Sequence, residues 1–310
     1  MTEKITVTDV KLANCPSSAT KCVERSNMLC KELEKGNILF FPNCPFDFPK
    51  EDIEFLLNQK QRKTKSIKYK PRLDKLINTV VKDEKDQLRL HKVMKNFSCL
   101  SSTFLSKLLT PYATRWIVDY TSFRSLENKS KKQRLKSDLF HIEAFRSRPM
   151  FGNRILRFFI NLNPEKPKRW ITSEPFEKLV GKFGGSKDLP FPIISKKSFK
   201  DTIRLAFKKS ANSVGLPVTM RSSYDHFMLK MQRFLKVNND FQENCNKKHW
   251  EFPPGSCWAV FADVVSHAAL EDQYELEQTF LIPVEGLIYP EKAPINVLER
   301  KSGWNMSSLF

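Results

Sequence analysis

The sequence predicts an α+β fold, mainly β with supporting helices. Four runs are rich in the β-branched and aromatic residues that favour strands: residues 37–41, 116–126, 155–162 and 252–284. Apolar residues recur at helical spacing in residues 73–112 and 224–237. Strand-type runs that follow one another through short polar connections are typical of antiparallel sheets.

The N-terminal part of the chain, residues 1–112, is predicted to be an α/β support region packed on the core. Asn37–Phe41 has the composition of a strand, and a Pro-rich turn follows it. Lys50–Asn58 is predicted to be a helix because acidic residues fall in its first turn. The apolar spacing predicts that residues 73–112 are mostly helical.

Residues 113–310 are predicted to form the main β domain, with a helical insertion at about 165–250. Three successive strands are expected to pair with one another, at residues 116–126, 139–145 and 155–161. Several prolines and a Gly pair predict that residues 163–185 form a loop. Helices are expected at 196–209 and 224–237, and the chain returns to the sheet from Phe252.

The charge balance is strongly basic, with 53 Lys and Arg against 34 Asp and Glu, a formal charge of +19. Such a surplus favours anionic partners. Residues 59–72 are the most basic stretch. They are predicted to form either a solvated loop or a surface patch that binds phosphates or carboxylates. Because the stretch lacks regularly spaced aromatic residues, no nucleic-acid partner is expected.

Other features of the sequence exclude some functions and suggest a compartment. With only 9 Gly and no Gly-rich phosphate loop, the chain gives no support to nucleotide chemistry. The 7 Cys include no C-x-x-C pair, so we expect reduced thiols. The N-terminus carries no signal pattern and no apolar run is long enough for a membrane span. These features predict a cytoplasmic protein.

His141 and Glu143 form an H-x-E pair just before the strand-type run at 155–162. Residues two apart on a strand project from one face, so an imidazole and a carboxylate could reach the same ion. With one more histidine they would complete the two-His, one-carboxylate set of non-haem Fe(II) oxygenases. The alternative is a histidine at a strand edge beside a solvated glutamate.

His267 is the candidate for the third ligand. A turn, a strand and a corner precede it and another strand follows it, which would place it at the mouth of a double-stranded β-helix (jelly-roll, cupin-like) core. His226 lies in a helical pattern and His249 in a Lys-rich loop, so both are less suitable. A structural role for His267 remains the alternative.

Several segments together resemble the Kdo hydroxylase family. They are HIEAFRSRPMFGNRILRFFINLNP from His141, FPPGSCWAVFADVVSHAALEDQYELEQTFLIP from Phe252, PINVLER from Pro294, TSFR at Thr121–Arg124 and SEPFE at Ser173–Glu177. The resemblance implies an Fe(II)- and 2-oxoglutarate-dependent dioxygenase that uses O2 to hydroxylate carbon 3 of a 3-deoxy-D-manno-oct-2-ulosonic acid (Kdo) residue, giving the 3-hydroxylated sugar Ko. It also implies that His141, Glu143 and His267 are the metal ligands and catalytic residues.

This chain departs from the family at one ligand, since H-x-D is usual there and His141-Ile142-Glu143 is found here. The extra methylene moves the carboxylate by roughly 1.5 Å, which a different rotamer can absorb. A glutamate still offers the hard oxygen that Fe(II) accepts. The departure leaves two alternatives to Kdo hydroxylation: an oxygenase of this fold with another acidic sugar or lipid as substrate, or a catalytically weakened binding protein.

The resemblance also implies a cation for the far carboxylate of 2-oxoglutarate, on the strand after the ligand pair. Arg157 and Arg154 lie on that strand and should face opposite ways, and Arg157 is favoured because apolar residues flank it. Gln278, on the last predicted strand, is a further candidate contact for the co-substrate. The alternatives are an arginine paired with a structural glutamate and an ordinary cross-strand contact.

The implied substrate is a Kdo-containing lipid A or lipopolysaccharide precursor. Candidate contacts for its acidic groups are Arg124, Arg146, Ser147 and Arg148, each of which could equally be a surface ion-pair residue. Because such precursors are assembled at the cytoplasmic face of the inner membrane, the basic 59–72 segment could also hold the protein peripherally at that anionic surface.

Overall fold

A computed structural model of the chain describes residues 2–8, 20–59, 66–125, 138–192, 220–270 and 274–309. The strands, in chain order, are β1 Lys4–Thr6, β2 Ile38–Phe41, β3 Ile67–Lys70, β4 Lys75–Ile77, β5 Ile117–Arg124, β6 Arg154–Asn161, β7 Lys168–Pro175, β8 Lys248–Phe252, β9 Cys257–Phe261, β10 Val265–Ala269 and β11 Glu275–Ile282. The helices are α1 Thr20–Glu34, α2 Lys50–Leu57, α3 Glu84–Leu108, α4 Thr110–Ala113, α5 Phe176–Phe183, α6 Ser223–Val237, α7 Asn239–Asn244 and α8 Pro294–Ser302.

Two sheets organise the described residues. The large sheet has 8 strands in the order β1-β2-β9-β6-β11-β5-β3-β4, and the small sheet has 3 in the order β10-β7-β8. All neighbours are antiparallel except β1 and β2. Two facing antiparallel sheets are the architecture of a jelly-roll, which agrees with the predicted fold class.

The large sheet is buried on both faces. Phe41, Phe158 and Leu276 pack on one face with apolar residues of α1 and α3, in the largest core cluster. On the other face Phe159 and Trp258 pack against aromatic residues of the small sheet. The charged side chains of β3, β5, β6 and β11 that point away from the helices therefore lie on the same face of the large sheet as Phe159.

Most elements predicted from the sequence are present. The predicted strands at 37–41, 116–126, 155–161 and 256–261 correspond to β2, β5, β6 and β9, and the helices at 50–58 and 224–237 to α2 and α6. The predicted helix at 196–209 lies outside the described residues. The domain boundary near residue 112 stays a prediction, although β1 to β4 share the large sheet with later strands.

Two local predictions are wrong. Leu139–Phe145 is not a strand, because its backbone groups bond to separate partners and only His141 makes a β-bridge. Residues 163–185 are not a loop but contain β7 and α5, with the prolines at the ends of β7, where a strand tolerates them. The prediction that residues 73–112 are mostly helical is confirmed by α3 and α4, although the helix begins only at Glu84, after β4.

The predicted pairing of the strand at 116–126 with the strand at 155–161 is not found. β5 and β6 are not neighbours, because β11 lies between them and pairs with both.

Within the described part of the chain, no helix combines the length and apolar character that a membrane crossing needs. The cysteines of that part are all free thiols.

Candidate active site

His141 and His267 are joined through their backbones. The amide of His141 donates to the carbonyl of His267 at 3.1 Å, and the amide of His267 donates to the carbonyl of His141 at 2.9 Å. This isolated antiparallel bridge connects the chain before β6 to strand β10. Because directly bridged residues project to the same side, the two imidazole rings lie together, with centroids 4.9 Å apart.

Each imidazole is also held by a local hydrogen bond. Nδ1 of His141 lies 2.9 Å from the carbonyl of Leu139, and Nδ1 of His267 lies 2.9 Å from the carbonyl of Val265. A carbonyl can only accept, so in both rings Nδ1 carries the proton and Nε2 keeps its lone pair. The same hydrogen-bonding arrangement therefore leaves Nε2 of both histidines able to bind a metal.

Glu143 completes the group. Its amide donates to the carbonyl of Ala262 at 2.9 Å, which fixes its backbone beside the turn before β10. Ligand atoms of His141, Glu143 and His267 all lie within 4.8 Å of one another. The structure thus brings together the three residues that the sequence predicted as metal ligands.

The protonation states of these residues suit a metal. Burial lowers the pKa of His141 to about 3 and also lowers the pKa of His267. Burial raises the pKa of the Glu143 carboxyl, but Arg157 and the other positively charged groups around it together outweigh burial and lower that pKa to about 2. At neutral pH the site therefore presents two neutral imidazoles and one carboxylate, a donor set that fits Fe(II).

The Glu143 carboxylate is held at both oxygens. Nη2 of Arg157 lies 2.9 Å from Oε2. On the other side, Nε2 of Gln232 lies 3.5 Å from Oε1 and also donates to the carbonyl of Ala144 at 3.2 Å. Gln232 comes from α6, so a residue of the predicted helical insertion orients a predicted ligand.

Trp170 supports His267 from the small sheet. The two rings are stacked, with centroids 5.2 Å apart and planes at 13°. Trp170 lies on β7, in the stretch that had been predicted as a loop, and its side chain is almost completely buried. The sequence did not identify Trp170 or Gln232 as site residues; their identification requires the packing of β7 and α6.

The two candidate arginines of β6 point in different directions, as strand alternation predicts. Arg157 faces the three ligands and also lies 3.3 Å from Oε2 of Glu277. Arg154 is completely buried, donates from Nε to Asp263 at 2.9 Å and packs over the ring of Phe261. Arg154 therefore anchors the turn before β10, and the structure does not bring it to the ligand group.

Gln278 is also kept away from the ligand group. Its Oε1 accepts from the hydroxyl of Thr121 at 2.6 Å, and its Nε2 donates to the carbonyl of Asp119 at 2.9 Å. Gln278 alternates along β11 with Glu277, whose side chain faces Arg157. In the structure the side chain of Gln278 thus makes bonds to β5 beside an irregular stretch of the β5–β11 ladder, and its contact with the co-substrate stays a prediction.

The four candidate substrate residues lie in different surroundings. Arg148 is largely buried, pairs with Asp119 at 2.5 Å and stacks over the rings of Tyr120 and Phe145. Arg124 lies opposite Glu275 in the ladder between β5 and β11. Arg146 and Ser147 are exposed.

Comparisons with known proteins agree with this geometry. The sequence model of a family described as 3-deoxy-D-manno-oct-2-ulosonic acid (Kdo) hydroxylase matches residues 17–305. No curated protein matches the chain by sequence.

Crystal structures of the Kdo hydroxylase KdoO, described as a non-heme Fe(II) alphaketoglutarate dependent dioxygenase, are similar over the whole chain. The complex with succinate and Fe(III) has a TM-score of 0.80 at 30% identity, covering 98% of this chain and 97% of that one. The cobalt(II) complex has a TM-score of 0.81 at 30% identity and the same coverage. The complex with alphaketoglutarate and Fe(III) has a TM-score of 0.80 at 29% identity, again with the same coverage.

Proposed function

Because the chain belongs to the Kdo hydroxylase family, we propose that it is an Fe(II)- and 2-oxoglutarate-dependent dioxygenase that hydroxylates carbon 3 of a Kdo residue to give Ko. Its substrate is a Kdo-containing lipid A or lipopolysaccharide precursor. The observation that carries the proposal is the convergence of His141, Glu143 and His267, with ligand atoms within 4.8 Å of one another.

These three residues would hold Fe(II) through two imidazole nitrogens and a carboxylate oxygen. The metal, once bound with 2-oxoglutarate and O2, supplies the oxidising power for hydroxylation, and the protein supplies positioning and exclusion of water. The Nδ1 contacts to Leu139 and Val265 keep both imidazoles in the ligating tautomer. Trp170 and the surrounding aromatic residues exclude water from the His267 side.

Arg157 is the proposed contact for the far carboxylate of 2-oxoglutarate. Of the two predicted arginines it is the one that faces the ligand group. Its two Nη atoms contact Glu143 and Glu277, while its buried Nε has no hydrogen-bond partner among the described residues. Arg157 would therefore set the position of a metal ligand and of the co-substrate together.

Peripheral contact with an anionic membrane surface is part of the proposal and is supported by the formal charge of +19. Sedimentation with vesicles tests it: binding should require anionic lipid and should weaken as salt rises. Equal recovery with neutral vesicles would contradict this part of the proposal.

The activity is tested by following succinate formation from 2-oxoglutarate with Fe(II), together with the mass of the Kdo-containing product. The His141→Ala variant should form no succinate above background. His91→Gln is the matched control, because His91 is a histidine of α3 that pairs with Asp74 and is not part of the ligand group. Succinate without oxygen added to Kdo would indicate another acidic substrate, and absence of succinate from the unmodified protein would indicate a binding protein.

A further inference from the structure

Two lysines of β3 lie on the face of the large sheet that carries the candidate active site. Lys68 pairs with Ser122 of β5, and Ser122 pairs with Glu277 of β11. Residues directly opposite in these antiparallel ladders share a face. Lys68 and Lys70, two apart on β3, therefore project to the same side as Glu277 and Arg157.

Both lysines gather around one aromatic ring. The Nζ atoms of Lys68 and Lys70 lie 5.7 and 5.2 Å from the centroid of Tyr120. The guanidinium of Arg148 also lies over Tyr120, at 4.2 Å, and over Phe145 at 3.8 Å. We call Lys68, Lys70, Tyr120 and Arg148 the cationic rim.

The cationic rim adjoins the candidate metal ligands. Phe145 follows Glu143 by two residues, and it lies under Arg148 and within 5.6 Å of the guanidinium of Arg157. Arg157 in turn contacts Glu143. One aromatic ring thus separates the rim from the residues that would hold the iron.

The rim carries positive charge that the described residues do not neutralise. Arg148 is paired with Asp119. Within the described ranges, by contrast, neither Lys68 nor Lys70 makes an ion pair, and each ammonium group lies over the ring of Tyr120. Both side chains are half-buried, and an ammonium withdrawn from water without a counter-charge is costly.

The surroundings of Lys68 make that cost larger. Burial lowers the pKa of Lys68, and although Glu277 acts in the opposite direction, nearby guanidinium groups lower it further. Glu277 itself is bonded to Arg157. An anionic ligand at the rim would relieve this excess of positive charge, as carboxylates do beside clustered cations.

We propose that Lys68 and Lys70 bind the carboxylate of the sugar acid substrate, with the ring of Tyr120 holding the two ammonium groups in place. The proposal rests on the proposed function and identifies the part of the substrate that the rim recognises. In a 3-deoxy-oct-2-ulosonic acid the carboxyl carbon is two bonds from carbon 3, about 2.5 Å. A cation that holds this carboxylate therefore also positions the carbon that reacts, which a more distant lipid phosphate would not do.

Binding of free Kdo and of its methyl ester tests the proposal without turnover. Calorimetry on the full-length protein without added metal should show the acid binding about tenfold more tightly than the ester, the scale of a hydrogen-bonded charge. The Lys68→Met/Lys70→Met variant should lose this preference, and Lys68→Arg/Lys70→Arg should largely restore it. A preference that survives in the methionine variant would overturn the proposal.

Lys4→Met is the matched control, because Lys4 makes the same type of contact over Phe40, at 4.5 Å, on β1 at the other end of the sheet. This variant should keep the full preference for the acid. If it loses the preference as well, the effect follows general surface charge and the proposal fails.

Turnover with Fe(II) separates this proposal from the proposed function. In the methionine variant KM for the sugar substrate should rise about tenfold or more, whereas KM for 2-oxoglutarate in sugar-free turnover should stay unchanged. A rise in KM for 2-oxoglutarate would instead assign the rim to the co-substrate, and preferential competition by inorganic phosphate would assign it to a phosphate. If the unmodified protein oxidises Kdo and the variant has an unchanged KM, only the carboxylate proposal fails.

Discussion

Nη2 of Arg157 lies 2.9 Å from Oε2 of Glu143, so the arginine proposed to hold the co-substrate is paired with a proposed metal ligand. Glu277 contacts the same arginine from β11. Arg157 therefore joins the carboxylate of the H-x-E pair and that of β11 in one charge network.

The first prediction concerns this ligand. Glu143→Gln removes a charge from the donor set and should weaken Co(II) binding by at least about 100-fold, more than changes to supporting residues usually do. The measurement is a Co(II) titration followed by visible absorption. Glu277→Gln is the matched control because it neutralises the other carboxylate on Arg157, and it should weaken Co(II) binding far less. Equal losses in the two variants would contradict a ligand role for Glu143.

The second prediction concerns Arg157 itself. Arg157→Met leaves Glu143 and Glu277 buried without their cation, and breaking a buried ion pair in this way costs about 3–5 kcal/mol of stability. Urea unfolding of the metal-free protein should show this loss. Combining the change with Glu277→Gln should recover part of it, because one uncompensated carboxylate is removed. No recovery in the double variant would argue against the shared network.

The candidate ligands could be proposed from the sequence more readily than the structure around them. His141 and Glu143 are two apart, and His267 precedes a returning strand, so local spacing is enough to propose them. Their actual arrangement does not depend on a strand at 139–145. It depends on one β-bridge between His141 and His267, made by residues far apart in sequence.

The supporting residues could not be predicted because they depend on long-range packing. The prolines around β7 mimic a loop, which hid Trp170 and its stacking on His267. The amphipathic pattern of α6 predicted a helix but not that Gln232 would reach Glu143. The direction of Arg157 followed from strand alternation, whereas its partner Glu277 on β11 required the strand order.

The third prediction concerns pH. The pKa of His141 is about 3 in the folded protein against 6.5 for an ordinary histidine, because burial disfavours its charged form. Below pH 6.5 the unfolded chain therefore binds a proton that the folded chain does not, and stability falls as the pH drops toward 3. One such proton contributes a slope of about 1.4 kcal/mol per pH unit.

Urea unfolding of the metal-free protein between pH 7 and 4 should therefore show a loss of stability on acidification that is shallower in His141→Gln. Glu143 adds a loss of the same sign at lower pH, since the pKa of its carboxyl is about 2 when folded against 4.5 when free. If the free energy of unfolding falls equally steeply with decreasing pH in His141→Gln and in the unmodified protein, the fold does not hold this histidine neutral.

The fourth prediction concerns Gln232 as a positioning residue for Glu143. Its Nε2 bonds to Oε1 of Glu143 and to the carbonyl of Ala144, so it limits the rotation of the carboxylate. Gln232→Leu should weaken Co(II) binding by about tenfold and change the visible spectrum of the bound Co(II), because a freed carboxylate alters the ligand geometry. Lys230→Gln, an exposed change on the same helix, is the control and should leave both readouts unchanged. A merely structural glutamine would lower stability without changing the spectrum of the Co(II) that still binds, and that outcome would contradict the positioning role.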